Sequence, residues 1–142
     1  MIEVMEDNFF HRKVQRLSIF LSVFNVHVNR SPISGQVKYF NYRKGSFRPA
    51  FNEKASIENE QSFIGIEDRE GRKIMFTQIA GIIARRIVCD LREGYNTRAG
   101  DKMGMIRYGS RVDIYFLPEQ LEVKVQIGDR VKGGESIIGV FK

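Results

Sequence analysis

Short apolar runs with the alternation of β-strands, separated by turn residues, restrict the folds open to this sequence. In residues 16–24, RLSIFLSVF, side chains at every second position are aliphatic, which is the pattern of a strand with a buried face. Phe20 and Phe24 fall on the opposite face, so we expect both faces to be covered. Two more apolar runs flank residues 68–72, DREGR, and this arrangement predicts a hairpin.

The remaining segments extend this prediction. Turn formers in residues 29–35, followed by a strand pattern in residues 36–42, predict a hairpin with residues 16–24. Residues 43–63 predict a long loop with one helical turn near residues 53–59, and long loops are often functional. The run at residues 79–91 fits a helix or a strand; its β-branched side chains favour the strand, with a helical turn at residues 84–86.

The sum of these segments predicts the fold class. Residues 121–142 add two short strands around glycine turns, which gives about seven to nine short strands and little helix. We therefore expect a mainly β fold, a single-domain β-barrel or β-sandwich that covers residues 1–142.

The composition limits the classes of function. A length of 142 residues fits one domain, and 42% of the residues are hydrophobic and can form a core. The single cysteine, Cys89, excludes an intramolecular disulfide, and the two histidines, His11 and His27, are too few for a three-histidine metal site. No apolar run approaches the ~20 residues that span a bilayer, so we expect a soluble or peripheral chain. The net charge of +6 suits an anionic partner, although it also fits an ordinary solvated surface.

The segment MIRYGSRVDIY, residues 105–115, places a Gly-Ser pair inside what otherwise alternates like one strand. Glycine in a strand marks a bulge or a close approach to the backbone, so Gly109–Ser110 is either a bulge or a reactive bond. A serine nucleophile needs a base, and the chain offers His11 and His27. His27 shares the strand phase of the apolar face, where a histidine is more often a core residue than a catalyst. Composition and spacing leave these alternatives open.

Several segments together resemble the short form of the phosphatidylserine decarboxylase family in order and rough spacing. The most specific motif is ARRIV followed by GMIRYGSRVD, whereas the GDRVKGGESI tail is shared with lipoyl and biotin carriers. The resemblance extends over nearly the whole chain and implies a C-terminal hairpin region like that of lipoyl (barrel-sandwich) domains. The segments that carry it are SIFLSVFNVHVNRSPISGQV, ENEQ, QIAGIIARRIV, MGMIRYGSRVDIYFLP and VKVQIGDRVKGGESIIG.

The resemblance implies a pyruvoyl-dependent enzyme that cuts its own chain. In the family the motif serine, here Ser110, attacks the carbonyl of the preceding residue, here Gly109, and the amide becomes an ester. β-Elimination then leaves a β chain of residues 1–109 and an α chain of residues 110–142, with a pyruvoyl group in place of Ser110. A residue without a Cβ at position 109 allows the close approach and the strained backbone that this step needs. His27 matches the histidine that activates the serine.

The implied reaction converts phosphatidylserine to phosphatidylethanolamine. The pyruvoyl group, the one cofactor implied, forms a Schiff base with the substrate amine and accepts electrons as carbon dioxide leaves. A protonated group then returns a proton, a step in which His27 can also take part. Arg107 and Arg111 flank the serine, and we hypothesise that one of them binds an anionic group of the substrate; the alternative is an outward-facing strand charge. The resemblance implies no metal.

The implied partners are an anionic phospholipid substrate and the two self-cleaved chains. We expect peripheral association with the cytoplasmic side of the cell membrane, with the 142-residue chain itself soluble. A homo-oligomer is compatible with the resemblance, and no nucleic-acid partner is implied.

Two departures from the family pattern concern the start of the sequence and position 24. Family members carry an upstream Pro-x-Asp-Gly motif, whose aspartate orients the histidine, and a hydrophobic N-terminal segment; residues 1–7, MIEVMED, match neither. The longer branch of the family has a histidine where this chain has Phe24. Because a histidine without its carboxylate is a poorer base, we expect the 142-residue chain to be a truncated, unprocessed pro-form.

Two other classes of function compete with the enzyme. A carrier or binding module of the lipoyl or biotinyl kind is suggested by the tail and by residues 101–103, DKM, although such lysines usually lie at a hairpin tip of a shorter chain. A basic nucleic-acid-binding β-domain would need interleaved aromatic and arginine residues, which the sequence lacks. Intact mass separates these classes: two fragments indicate a pyruvoyl enzyme, and an added lipoyl or biotinyl mass indicates a carrier.

Overall fold

The computed structural model describes residues 2–6, 8–20, 27–45, 59–80, 87–89, 92–106, 111–130 and 138–142. No helix occurs in these ranges, and their strands confirm the predicted mainly β fold. The helical turns predicted at residues 53–59 and 84–86 fall outside them, except for Asn59, which forms an isolated β-bridge. The strands in chain order are β1 (Ile2–Glu6), β2 (Arg12–Phe20), β3 (His27–Arg30), β4 (Gly35–Arg43), β5 (Gln61–Glu67), β6 (Lys73–Ile79), β7 (Ile87–Cys89), β8 (Asn96–Thr97), β9 (Lys102–Ile106), β10 (Arg111–Phe116), β11 (Leu121–Val123) and β12 (Gly139–Phe141).

Seven strands form the larger sheet, in the order β1-β2-β10-β6-β5-β4-β8. β10 lies between β2 and β6 and pairs antiparallel with both along its whole length. The hairpin predicted around residues 68–72 is confirmed by the antiparallel pair β5–β6. The sheet ends at β1 and β8 and is not closed into a barrel by the described strands, which favours the sandwich among the predicted architectures.

Two smaller sheets complete the described fold. β3, β9 and β7 form a three-stranded antiparallel sheet in that order. Its strand β7 confirms the strand interpretation within residues 79–91. β11 and β12 pair antiparallel, as the pattern of residues 121–142 predicts.

The predicted hairpin between residues 16–24 and 36–42 is wrong. β4 pairs with β5 and β8, whereas β2 pairs with β1 and β10. Residues 31–34 instead carry the chain from β3 in the three-stranded sheet to β4 in the larger one. Periodicity shows which faces of a strand are apolar but not which strand lies beside it, and it did not predict β1.

Both faces of the larger sheet carry an apolar core, and β10 contributes to each. Val112 and Ile114 pack against the first core, while Tyr115 belongs to the second. Polar side chains on β10 are therefore buried as well. The first core contains Val37, Ile64, Ile66 and Phe76, and the second contains Phe9, Phe10, Val14, Met75 and Tyr115.

A buried glutamate organises the turn between β1 and β2. The Glu6 carboxylate is 6% exposed and accepts hydrogen bonds from the backbone N–H groups of Asn8, Phe9 and Phe10 at 2.5–3.1 Å. The turn directs Phe9 across the sheet, where its ring packs directly on Gly65; a Cβ at that glycine would lie 2.9 Å from the ring carbons. The N-terminal turn thus covers one face of the larger sheet.

We expect Glu6→Ala to lower the free energy of unfolding by roughly 3 kcal/mol, because the N–H groups of Phe9 and Phe10 would remain buried without acceptors. Glu3→Ala is the matched control on the same strand, since Glu3 is exposed and pairs with Lys13 at only 3.9 Å. Glu3→Ala should lower the free energy of unfolding by less than about 0.5 kcal/mol. Urea unfolding of both variants measures the difference, and equal losses would contradict the role of Glu6.

Candidate active site

Three neighbouring strands of the larger sheet have their ends at one edge. Arg111 begins β10, and it pairs with Phe20 at the end of β2 on one side and with Ile79 at the end of β6 on the other. The Gly109–Ser110 bond therefore immediately precedes the central strand of this group in the chain.

The three-stranded sheet is built from the strands that adjoin β2, β10 and β6 in the chain. Its order, β3-β9-β7, is the same, because β3 follows β2, β9 precedes β10 and β7 follows β6. His27 begins β3 and pairs with Ile106 at the end of β9, which also pairs with Ile87 at the start of β7. Residues 107–110 thus join the middle strand of one sheet to a central strand of the other. The strand that begins with His27 lies beside the strand that ends four positions before Ser110.

The sequence-predicted site residues are described to different extents. Arg107, Gly109 and Ser110 lie outside the described residues, and His27 is described by its backbone pairing alone. The predicted hydrogen bond between the His27 and Ser110 side chains stays a prediction. The structure does separate β9 from β10, so residues 105–115 do not form one strand within a single sheet.

Arg111 is the one predicted site residue whose side chain is described. It is 3% exposed, and its guanidinium pairs with Asp113 through two contacts, Nε to Oδ1 at 3.0 Å and Nη2 to Oδ2 at 3.2 Å. The alternative that Arg111 is an outward-facing strand charge is wrong, because the sheet is covered on both faces at β10. Binding of an anionic substrate group by Arg111 stays a prediction.

A second arginine approaches the same carboxylate. Arg16 on β2 places its Nε 3.7 Å from Asp113 Oδ2, and Asp113 is 0% exposed. The ion triad of Arg16, Asp113 and Arg111 carries two formal positive charges and one negative charge. Burying a charged side chain costs several kcal/mol per ion unless the charge is paired and hydrogen-bonded. These three side chains can therefore be buried because they lie close together.

Tyr115 lies beside this ion triad on β10. Burial and the nearby negative charge of Asp113 raise the pKa of the Tyr115 phenol to about 12, although Arg16 and Arg111 act in the opposite direction. The phenol is therefore neutral at physiological pH.

Neutral polar side chains are also buried at this edge of the sheet. Asn59 donates from Nδ2 to the Ala80 carbonyl at 2.7 Å, and Gln61 donates from Nε2 to the Asn59 carbonyl at 3.2 Å. Buried polar groups are costly unless hydrogen-bonded, so their concentration near the end of β6 and the start of β5 distinguishes this edge from the apolar cores. The fully or almost fully buried members are Asn59, Gln61, Ser62, Thr77 and Gln78.

Phe20 gives this edge an apolar, partly exposed element. Its side chain is 56% exposed, so the expectation that both faces of residues 16–24 are covered is wrong at this position. The Arg111 guanidinium lies 5.7 Å from the centroid of the Phe20 ring, within the range of a cation–π contact. Phe20 thus lies on one side of the Arg111 guanidinium.

Sequence reasoning missed Asp113 and Arg16. The alternation of residues 105–115 places Arg111 and Asp113 together on one face, but it does not show that this face is buried. The available signal was the RVD triplet directly after Ser110, in which an arginine and an aspartate two positions apart face the same side of a strand.

His11, the other histidine, lies away from this edge. It is exposed, it has a φ of 57°, and it directly precedes β2. β2 therefore separates His11, at its beginning, from the edge where it ends at Phe20.

The described residues contain no group of three or more histidine, cysteine, aspartate or glutamate side chains that could hold a metal ion. They also contain no helix of the length and apolar character needed to cross a membrane.

Comparison with known proteins places these features in a family. The family model for phosphatidylserine decarboxylase matches residues 3–139. A "phosphatidylserine decarboxylase proenzyme" of Wolbachia sp. subsp. Brugia malayi (strain TRS) is 53% identical over 127 residues, which are 89% of this chain and 55% of the relative. The protein of the same name from Rickettsia africae (strain ESF-5) is 51% identical over 126 residues, 89% of this chain and 54% of the relative.

A more distant relative extends the match to nearly the whole chain. The proenzyme of the same name from Nitrosomonas eutropha (strain DSM 101675 / C91 / Nm57) is 42% identical over 141 residues, 99% of this chain and 65% of the relative. The chain thus spans between about half and two thirds of the length of these curated relatives. No solved structure matches the chain significantly. The matched residues include the three-stranded sheet, the ion triad and the GSRVD motif, and the chain belongs to the phosphatidylserine decarboxylase family.

Proposed function

We propose that the protein containing this chain decarboxylates phosphatidylserine to phosphatidylethanolamine after it has cut itself between Gly109 and Ser110. The observation that carries this proposal is the family match over residues 3–139, together with relatives that are named proenzymes. The position of the Gly-Ser bond directly before the doubly paired strand β10 supports it, because one side of the bond is held firmly by the sheet.

Self-cleavage assigns a task to each predicted residue. The Ser110 hydroxyl oxygen bonds to the Gly109 carbonyl carbon while the C–N bond between the two residues breaks. The hydroxyl proton passes by way of His27 to the amide nitrogen that is released. The pairing of His27 with Ile106 supports this assignment, because it brings the backbone of His27 next to the segment that carries Ser110. Elimination of the ester then releases residues 1–109 with a free carboxylate and leaves a dehydroalanine at position 110. Its enamine tautomerises to an imine, which water hydrolyses to the pyruvoyl carbonyl with release of ammonia.

The described surroundings fit a pyruvoyl group at position 110. Such a group would terminate the α chain immediately before β10, whose first residue is buried and paired on both sides. A pyruvoyl group supplies a carbonyl that accepts electrons during loss of carbon dioxide. The chain itself would exclude water through the packing around β10 and would return a proton to the product, for which His27 is the candidate.

The substrate class and the location follow from the family and the charge. Phosphatidylserine is an anionic phospholipid, and the chain has a net charge of +6 with exposed cations such as Lys38 and Arg43 on β4 and Lys44 directly after it. Such charges favour a surface of anionic lipid, and we place the protein peripherally on the cytoplasmic side of the cell membrane. The carrier alternative has weaker support, because the part of the lipoyl-like tail that the structure describes contributes β11 and β12, whereas the family match covers residues 3–139.

The test of this proposal is cleavage followed by decarboxylation. We would compare the 142-residue chain with a chimera that adds the parts of the Wolbachia relative lying outside the match. Denaturing electrophoresis should show a fragment of residues 1–109 and a fragment of residues 110–142, the smaller one blocked to Edman sequencing. The cleaved protein should release carbon dioxide from phosphatidylserine in mixed micelles. Two forms that both remain whole and inactive would contradict the proposal.

His27→Ala should abolish self-cleavage in whichever of these two forms cleaves, because Ser110 would lose its base. His11→Ala is the matched control: His11 is exposed at the opposite end of β2 and should leave the cleavage rate unchanged. The rate is measured by electrophoresis of samples taken over days at neutral pH. Equal cleavage in wild type and His27→Ala would remove His27 from the mechanism.

The two fragments should remain associated after cleavage, because β10 of the smaller fragment pairs along its whole length with β2 and β6 of the larger one. The Phe141 ring adds a second contact, lying 4.3 Å from the Arg72 guanidinium. Size exclusion without denaturant should give one species and size exclusion in urea two. Separation in the absence of denaturant would show that β10 does not hold the fragments together.

A further inference from the structure

Arg111 is enclosed in a way that does not suit a substrate contact. Its side chain is almost completely buried, its guanidinium makes two contacts with the Asp113 carboxylate, and it lies within cation–π distance of the Phe20 ring. A lipid head group approaches from solvent and needs accessible donors. The enclosed guanidinium is better placed to act on the chain's own groups.

A contribution to stability alone does not explain the ion triad. Buried ion pairs can often be replaced by apolar residues of similar volume without loss of stability, because desolvation offsets their attraction. Here Asp113 is fully buried, and a second arginine, Arg16, approaches it at 3.7 Å. Both arginines approach the Asp113 carboxylate, and both lie near its Oδ2.

The position of Arg111 in the chain indicates that the ion triad fixes the backbone next to the Gly109–Ser110 bond. Arg111 follows Ser110 directly, and its backbone pairs with Phe20 and Ile79. The contacts to Asp113 add a side-chain anchor to these backbone anchors. Together they fix the chain on the C-terminal side of the Gly109–Ser110 bond, and nucleophilic attack is sensitive to such placement, since a shift of about 1 Å can cost 10²-fold in rate.

We propose that Asp113, supported by Arg16, is a positioning residue for self-cleavage that acts through Arg111, and that Arg111 serves this step rather than recognition of the substrate head group. The inference rests on the proposed function.

The first test separates self-cleavage from substrate binding. In the form of the protein that cleaves, Asp113→Asn should slow self-cleavage by about 10²-fold, as expected for a misplaced reacting bond. Once cleaved, the variant should keep its KM for phosphatidylserine within about twofold of the wild-type value, counted per pyruvoyl group. If KM rises severalfold while the cleavage rate is unchanged, Arg111 binds substrate and the inference is wrong.

The second test separates positioning from stability. Arg111→Met should slow cleavage by a similar factor, and the double variant Arg111→Met/Asp113→Asn should cleave no more slowly than Arg111→Met alone, because Asp113 acts through Arg111. The double variant should also be more stable to heat than Asp113→Asn, since it leaves no arginine at position 111 facing a neutral amide. If recovered stability restores rapid cleavage, the triad is structural and the inference is wrong.

A matched control removes another aspartate–arginine pair. Asp68 and Arg72 lie 2.6 Å apart in the β5–β6 turn, at the opposite end of β6 from Ile79. Asp68→Asn should lower the midpoint of thermal unfolding without changing the cleavage rate. A cleavage rate that falls equally in Asp68→Asn and Asp113→Asn would assign both effects to stability. If the wild-type protein never cleaves, the proposed function is wrong, and the inference is wrong with it. If the wild-type protein cleaves, the variants test the inference separately from the proposed function.

Discussion

The pairing of β10 with β2 and β6 is the interaction on which the rest of this structure depends. It joins the last quarter of the chain to the strands that precede it, and it places Val112 and Ile114 against one core and Tyr115 in the other. A cut immediately before such a strand removes one covalent bond but leaves its hydrogen bonds and packing intact. The proposed cut next to this central strand would therefore leave both cores in place, whereas a cut within the strand would disrupt them.

Burial of β10 on both faces has a second consequence, which concerns charge. A central strand covered on both sides has no exposed face for Arg111 and Asp113, so their charges must be balanced within the protein. They pair with each other, and Arg16 from the neighbouring strand approaches the same carboxylate. Coulomb interactions are stronger in such an interior than in water, so a small change in this triad alters the local potential more than a change in a surface pair such as Arg12–Glu119.

The sequence predicted the strands themselves better than it predicted which strands lie beside each other. Alternation and turn residues identified the β5–β6 hairpin and the C-terminal pair β11–β12, because both are local and depend on residues close in the chain. The pairing of β10 with β2 joins residues almost a hundred positions apart, which no local pattern specifies. The same limit explains why the burial of Arg111 and Asp113 was not predicted: alternation shows that two residues share a face, but not whether another layer covers it. The GSRVD motif identified the candidate site because it is specific to the family.

The order of the strands explains how a base and a nucleophile from separate parts of the chain can meet. β2, β10 and β6 are neighbours in one sheet, and the strands joined to them in the chain, β3, β9 and β7, are neighbours in the same order in the other. The links between them are residues 21–26, 107–110 and 80–86. The middle link contains Ser110, and His27 begins the strand at the end of an adjacent link. Because the pairs of Arg111 with Phe20 and of Ile106 with His27 fix both ends of these two adjacent links, the sheet pairing places the ends of the link that contains Ser110 beside the ends of the link that precedes His27.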